Sequence, residues 1–314
     1  LNDDTNAIDE VVVVGYGTVK KADLAGSVSV LDNKAFKDQP LTRVDDALQG
    51  RIAGVHVVSS GIPGGDMKIR IRGAGSINRS NEPLYVVDGI VRESGLTGLD
   101  PEDIQSIQVL KDASATAIYG SRGSNGVVLV TTKAGKADYK QISFDAQFGI
   151  SNVAKRYSLL NPFEFATAYN EAHPGTFNQD DLTAFQNGEK GTDWQRAISK
   201  TGFIQNYKVT LTNGNKDTQY YISGNYLNQE GVILRTKNER YQVKLNLSSN
   251  ITKWLSITAD INASHNNRNI IDFGASKSNI LWAALNYSPV TSLMDNNGKY
   301  CRDYYNAITT DNPV

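Results

Sequence analysis

Cysteine is nearly absent. The 314 residues hold one, Cys301, which excludes an internal disulfide framework and any multi-cysteine zinc site. Histidine is scarce too: His56, His173 and His265 lie far apart, so spacing gives no metal centre, and no cofactor is expected. No run approaches the roughly 18 apolar residues of a membrane helix. The longest aliphatic run is Val11–Val14. An excess of either charge is also missing: 32 Lys and Arg face 33 Asp and Glu, for a formal net charge of −1. That balance argues against nucleic acid as a partner, because phosphate affinity rests on clustered basic residues. These absences leave a β-barrel membrane protein open, since its strands alternate apolar and polar residues and escape hydropathy.

Nucleotide and catalytic signatures are lacking as well. Gly15-Tyr16-Gly17 and Gly73-Ala74-Gly75 begin like dinucleotide fingerprints, but Lys20 and Asn78 stand where the third glycine belongs. No P-loop and no Gly-x-Ser-x-Gly elbow occurs. Gly120–Gly126 could cradle an anion, but such a loop is more often a tight link between helix and strand. His56 falls inside a strand pattern and reads as structural. No catalytic residue is expected.

The chain does carry two textures. Residues 1–10 are polar and acidic and read as a mobile tail. The β-branched Val11–Val14 then prefers an extended backbone, a short strand in need of a sheet edge. Residues 15–136 read as one α+β domain. Strands are expected at 27–31, 55–58, 68–72, 84–87, 104–110 and 127–132, with a turn at Asp88-Gly89. Short helices are expected at 43–49, after Asp100-Pro101, and from Asp112 to Gly120. Arg70, Arg72 and Arg79 form a basic cluster that, inside a polar lumen, would hold this domain to carboxylates of a surrounding wall.

From about residue 137 to 314, long strands alternate cleanly. Ile142, Phe144, Ala146, Phe148 and Ile150 share one face; Tyr207, Val209 and Leu211, then Tyr241, Val243, Leu245 and Leu247, then Leu255, Ile257, Ala259 and Ile261 repeat the pattern. Such strands fit a transmembrane barrel with a polar interior, or a soluble sandwich with one wet face. Trp254 and the many tyrosines suit an interfacial girdle. Near 151–203 a helix over 161–170 and a long extracellular loop, including Trp194, interrupt the series.

Asp9-Glu10-Val11-Val12-Val13-Val14-Gly15-Tyr16-Gly17-Thr18 resembles the N-terminal segment, with its TonB box, of SusC/RagA-like TonB-dependent outer-membrane transporters, typical of the Bacteroidetes. Leu48-Gln49-Gly50-Arg51-Ile52-Ala53-Gly54-Val55, Ile69-Arg70-Ile71-Arg72-Gly73 and Leu84-Tyr85-Val86-Val87-Asp88-Gly89 are similar to plug motifs, in family order. The stretch from Val109 to Val127 resembles the plug signature almost without departure.

The resemblance implies an α+β plug domain followed by the first antiparallel strands of a large transmembrane β-barrel, incomplete in this chain. Residues 1–14 would be the tail with the TonB box, 15–136 the plug and 137–314 the barrel start. Asp9, Glu10, Val11, Val12, Val13 and Val14 would bind TonB. Ser76, Asn78, Arg79, Asn81, Glu82, Arg92 and Glu93 would face the cargo. Arg70, Arg72, Gly73, Asp88, Gly89, Asp112, Tyr119, Gly120, Arg122 and Gly126 would hold the plug's shape. Implied partners are TonB, a SusD-like lipoprotein lid, an oligosaccharide or peptide, and outer-membrane lipid. About five strands cannot enclose a plug with a radius of gyration near 14 Å, so a chain about three times longer is expected.

Overall fold

The computed structural model describes residues 11–14, 17–20, 28–35, 39, 41–65, 67–71, 73, 81–112, 116–271, 279–305 and 312–314. The chain forms two compact units: one from residues 1–147, 205–227 and 239–267, the other from 148–204, 228–238 and 268–314.

In the first unit, β1 (Val11–Val14) pairs antiparallel with β2 (Gly17–Lys20) in a ribbon of two strands. Val11–Val14 is therefore not solitary, as its sequence suggests; Val12 lies opposite Val19. The tail over 1–10, with Asp9 and Glu10, lies outside the described residues.

A five-stranded sheet comes next, in the order β3 (Val28–Asp32), β8 (Ile104–Leu110), β9 (Val127–Thr132), β6 (Leu84–Val87), β7 (Ile90–Arg92). Only β6 and β9 run parallel. Both are almost unbroken Val and Leu because they are buried on both faces. Tyr85, Val87, Val128 and Val130 pack into the main core with Leu48, Ile69 and Ile107. Val86, Val127 and Leu129 pack on the opposite face with Leu110. A separate hairpin, β4 (Val55–Ser59) with β5 (Met67–Ile71), points Val57, Ile69 and Ile71 into the main core.

Asp88 and Gly89 take φ of 50° and 82°, the positive values of a two-residue hairpin turn. They join β6 to β7, a strand the sequence does not announce. The expected helices tighten. Asp45–Leu48 and Pro101–Asp103 are 3₁₀ turns, the second capped by Asp100, whose carboxylate accepts from the Glu102 amide. The expected Ala-rich helix gives way to 3₁₀ turns over Ala117–Gly123, broken at Gly120 (φ 58°, ψ −148°), a conformation reserved for glycine; residues 113–115 lie outside the description. Gly126, at φ 92°, leaves no room for a methyl: a Cβ there would meet Ile71 Cδ1 at 2.8 Å.

The long strands form one open sheet in chain order: β10 (Tyr139–Ser151), β11 (Gly202–Gly214), β12 (Thr218–Glu230), β13 (Lys237–Thr252), β14 (Leu255–Asn269). Bonded neighbours joined by loops as short as 215–217 and 253–254 run antiparallel. Asn215 makes the first of these turns by accepting from the amides of Asp217 and Thr218.

The second unit is helical. Residues expected as one helix and a long loop carry three: α1 (Pro162–Ala172), α2 (Gln179–Gln186) and α3 (Trp194–Ala197). Asn161 with Glu164, and Asn178 with Asp181, close two capping boxes. α3 packs with α4 (Ile280–Asn286): Trp194, Ile198, Ala284 and Tyr287 form one core, and Trp194 Nε1 donates to the Ser288 carbonyl at 3.0 Å. Trp194 is thus a core residue rather than part of an external loop.

Candidate functional site

Burial in the open sheet is inside out. Ile142 and Phe144 on β10 are 70% and 67% exposed, while Lys208 on β11 and Lys244 on β13 are 2% and 0% exposed. Strand alternation explains the partition: apolar positions take one face, and the polar positions turn onto the α+β domain.

There the sheet meets a carboxylate cluster. The Asp100 cap and the 3₁₀ turn behind it hold Asp100, Glu102 and Asp103 side by side just before β8. Lys208 Nζ lies 2.7 Å from Asp103 Oδ1, 3.1 Å from Asp100 Oδ2 and 3.8 Å from Glu102 Oε2. Tyr221 OH and Ser223 Oγ each donate to Asp103 Oδ1 at 2.8 Å, and Gln242 Nε2 donates to Oδ2 at 3.3 Å. Asp103 therefore keeps three neutral donors besides the ammonium. Beside the cluster lies a cavity of about 820 Å³, lined among others by Glu102, Lys133, Lys208 and Asp145. Burial, then the nearby Asp100 charge, raises the Glu102 pKa. Burial, then Lys208, lowers that of Lys133.

Two further cations of the sheet reach the same domain. Arg240 Nη1 donates to the carbonyls of Thr42 and Leu99 at 3.1 and 3.4 Å. Lys244 Nζ lies 3.1 Å from both Asp260 oxygens and 3.9 Å from Asp88 Oδ2. Asp88 also fastens its own hairpin, accepting from the Thr132 amide and hydroxyl. At Lys208 the sheet brings the cation and the α+β domain brings the acids. Arg70 is exposed on β5, across from His56, and Arg72 and Arg79 lie outside the described residues.

Of the residues expected to face a cargo, Ser76 and Asn78 also lie outside the description. Asn125 Nδ2 donates to the Glu82 carbonyl at 3.4 Å, and the exposed Glu93 and Arg122 approach to 3.7 Å. Arg92 Nη2 donates to the Thr97 carbonyl at 3.2 Å. Asn81 is half-buried. Tyr119 packs on the second core, Gly73 takes φ 98°, and Asp112 is half-buried. Among the described residues, no group of three or more His, Cys, Asp or Glu is arranged to hold a metal ion. Lys208, Tyr221, Ser223, Arg240, Gln242 and Lys244 belong to no local motif; their one signal in the sequence is a Lys or Arg on the polar face of an alternating strand.

The outward face has its own order. Tyr207, Tyr226 and Tyr241, from three adjacent strands, form a ladder with ring centroids 6.4 and 5.0 Å apart. Trp254, 83% exposed, stands at the opposite end in the β13–β14 turn. Between them β13 presents Val243, Leu245, Leu247 and Ile251. An apolar band between a tyrosine row and a tryptophan at the far end is the pattern of a wall in lipid.

The profile of the TonB-dependent Receptor Plug Domain matches residues 20–127. TonB-dependent receptor P3 of Formosa agariphila is 38% identical over 96% of this chain and 30% of its own length. TonB-dependent receptor SusC of Bacteroides thetaiotaomicron is 40% identical over 79% of this chain and 25% of its own. The RagAB peptide importer, solved in an open-open state, superposes with a TM-score of 0.79 at 28% identity, over 97% of this chain and 38% of the solved one. The chain thus spans 30% or less of the length of these two curated relatives.

Proposed function

Because the chain belongs to the SusC/RagA-like TonB-dependent outer-membrane receptors, we propose that it supplies the plug and first wall strands of an importer that draws a nutrient across the outer membrane. The observation that carries this reading is the inside-out sheet, whose buried cations grip the plug while its apolar face is turned outward. Residues 15–136 act as the plug and 137–314 as the start of the wall. The short turns at 215–217 and 253–254 face the periplasm, and the longer connections face outward.

Cargo binds above the plug, against Ser76, Asn78, Arg79, Asn81, Glu82, Arg92 and Glu93. The segment Asp9–Val14 hangs below, where TonB captures it by adding a strand: main-chain hydrogen bonds give affinity and alternate side chains give register. Of the two strands in the ribbon, β1 keeps one edge away from β2, and that edge is the docking line. The pull of TonB then displaces the plug. The plug leaves polar contacts, which water can replace, rather than an apolar seam.

The cargo is an oligosaccharide, held beneath a SusD-like surface lipoprotein. A peptide is the second reading, favoured by the likeness to the RagAB peptide importer. The chain acts as a transporter component and not as an enzyme. Val12→Pro in the full-length receptor tests the proposal, since proline removes a donor from the added strand. Uptake of labelled cargo should stop while its binding to cells persists. Undiminished uptake would refute the TonB assignment. Binding without uptake by the unaltered receptor would make it a surface receptor instead.

A further inference from the structure

In the helical unit, residues 152–161 run with neither turn nor bend. Two clasps hold this strap to the segment that carries α3. At the first, Arg156 Nη2 donates to Ser199 Oγ at 3.1 Å. Beside it Gln195 brackets the Tyr157 backbone, accepting from its amide and donating to its carbonyl at 2.9 Å each. At the second, Pro162 presses on Gly191, where a Cβ would meet Pro162 Cγ at 2.5 Å. The strap thus runs antiparallel to 191–199. Between the clasps, Ser158, Leu159 and Leu160 make no hydrogen bond among the described residues. Here the strap and the helices enclose a cavity of about 470 Å³. Leu159 and Leu160 line it from the strap, and Trp194, Ala284 and Tyr287 from the helical core.

We propose that this cavity binds a peptide of two or three residues through both of its charged ends. The inference rests on the peptide reading of the cargo. Opposite charges stand at the two ends of the cavity. Arg156 is held at Ser199, and Asp193 lies six residues before Ser199, so about 9 Å separate the two positions at a helical rise of about 1.5 Å per residue. Two or three extended peptide residues cover about 7–10 Å. The bond to Ser199 occupies one N–H of Arg156 and leaves the donors that suit a carboxylate. Asp193 Oδ1 accepts from the Arg196 amide, which fixes the side chain. Its Oδ2 has Arg196 Nε at 3.9 Å, a pair of exposed groups too weak to compete with a peptide ammonium held by the cavity. Between the charges the wall is mainly apolar, with Phe165 and Leu285 added to the leucines of the strap. Such a wall gains from an apolar side chain and gives the hydroxyls of a sugar little in exchange for their water. The Ser158 and Thr192 hydroxyls remain for the peptide group.

Binding of tritiated Ala-Leu-Ala to the purified full-length receptor provides the test. N-acetylation and C-terminal amidation should each weaken it about tenfold, the scale of one charge-assisted hydrogen bond. Arg156→Met should weaken the free acid about tenfold and leave the amide unaffected. Asp193→Asn, which keeps a good helix cap, should do the same for the free amine against the acetylated form. Equal binding of all three peptides overturns the assigned ends, as does an Arg156→Met variant that weakens acid and amide alike. Displacement of the tripeptide by maltotriose overturns the peptide class. No binding at millimolar peptide, with cargo uptake intact, overturns the site and leaves import standing. Tripeptide binding with the expected end dependence, but without uptake, upholds the site and overturns import.

Discussion

Lys208→Met removes the cation from the plug–wall cluster and nearly preserves side-chain length. Asp100 and Asp103, each about 1% exposed, then lose the ammonium that contacts them both, and Lys133 and Arg240 act on them only through space. Removing one partner of a buried ion pair costs about 3–5 kcal/mol. The lower end applies, because Asp103 keeps Tyr221, Ser223 and Gln242, and Asp100 keeps the Glu102 amide. A loss of about 3 kcal/mol, with a urea slope of about 1.5 kcal/mol per molar, lowers the unfolding midpoint of the plug by about 2 M. Pulse proteolysis of the full-length receptor across a urea series reads that midpoint from intact plug peptides. Adding Asp100→Asn and Asp103→Asn removes the uncompensated charge and should recover more than half of the shift. A midpoint for Lys208→Met within experimental error of the unaltered receptor would refute the reasoning, as would a triple variant weaker than the single one.

Two other consequences are open to measurement. Burial raises the Asp46 pKa from 3.8 to about 6. The folded plug therefore binds this proton more tightly than the unfolded chain does, and the associated stability, present below pH 4, is lost as pH rises through 6. Asp46→Asn should flatten the fall of the plug's urea midpoint between pH 4 and 6; an unchanged slope would disprove it. In the second unit, Trp194→Ala removes a buried ring 4.7 Å from that of Tyr287 and its bond to the Ser288 carbonyl. It should cost about 3–5 kcal/mol. Protease cleavage between α1 and α4 should accelerate, while the urea midpoint of the plug stays fixed.

Much of this architecture is legible because strand periodicity is written locally. The alternation in β10, β11, β13 and β14 fixes both faces of the sheet, and the Val- and Leu-rich runs of β6 and β9 announce burial on both sides. Glycine at 126 marks a place where only glycine fits. The rest depends on contacts between distant residues. Lys208 and Asp100 are 108 positions apart, and nothing near either names the other. That is why Arg70, Arg72 and Arg79 read as anchors from the sequence, although the described cations that grip the α+β domain, Lys208, Arg240 and Lys244, come from the sheet. Short 3₁₀ turns carry the same caps as helices, so Asp100-Pro101 reads equally well as either. The helices after β10 were within reach: Asn178 with Asp181 is a capping signature, masked by the shortness of the helix it opens.

The order of strands in the plug sheet also decides which part yields first under tension. A load applied at the start of the chain reaches β3 before any other strand of that sheet, and β3 sits at an edge with β8 as its one neighbour. Its five residue pairs can part while the β8–β9–β6 ladder stays whole. The strand that begins directly after the Asp100–Asp103 cluster is β8, one place further in. A pull from that end would strip an outer layer before it loaded the layer anchored to the wall, and a partial stroke would leave a template on which β3 can zip back.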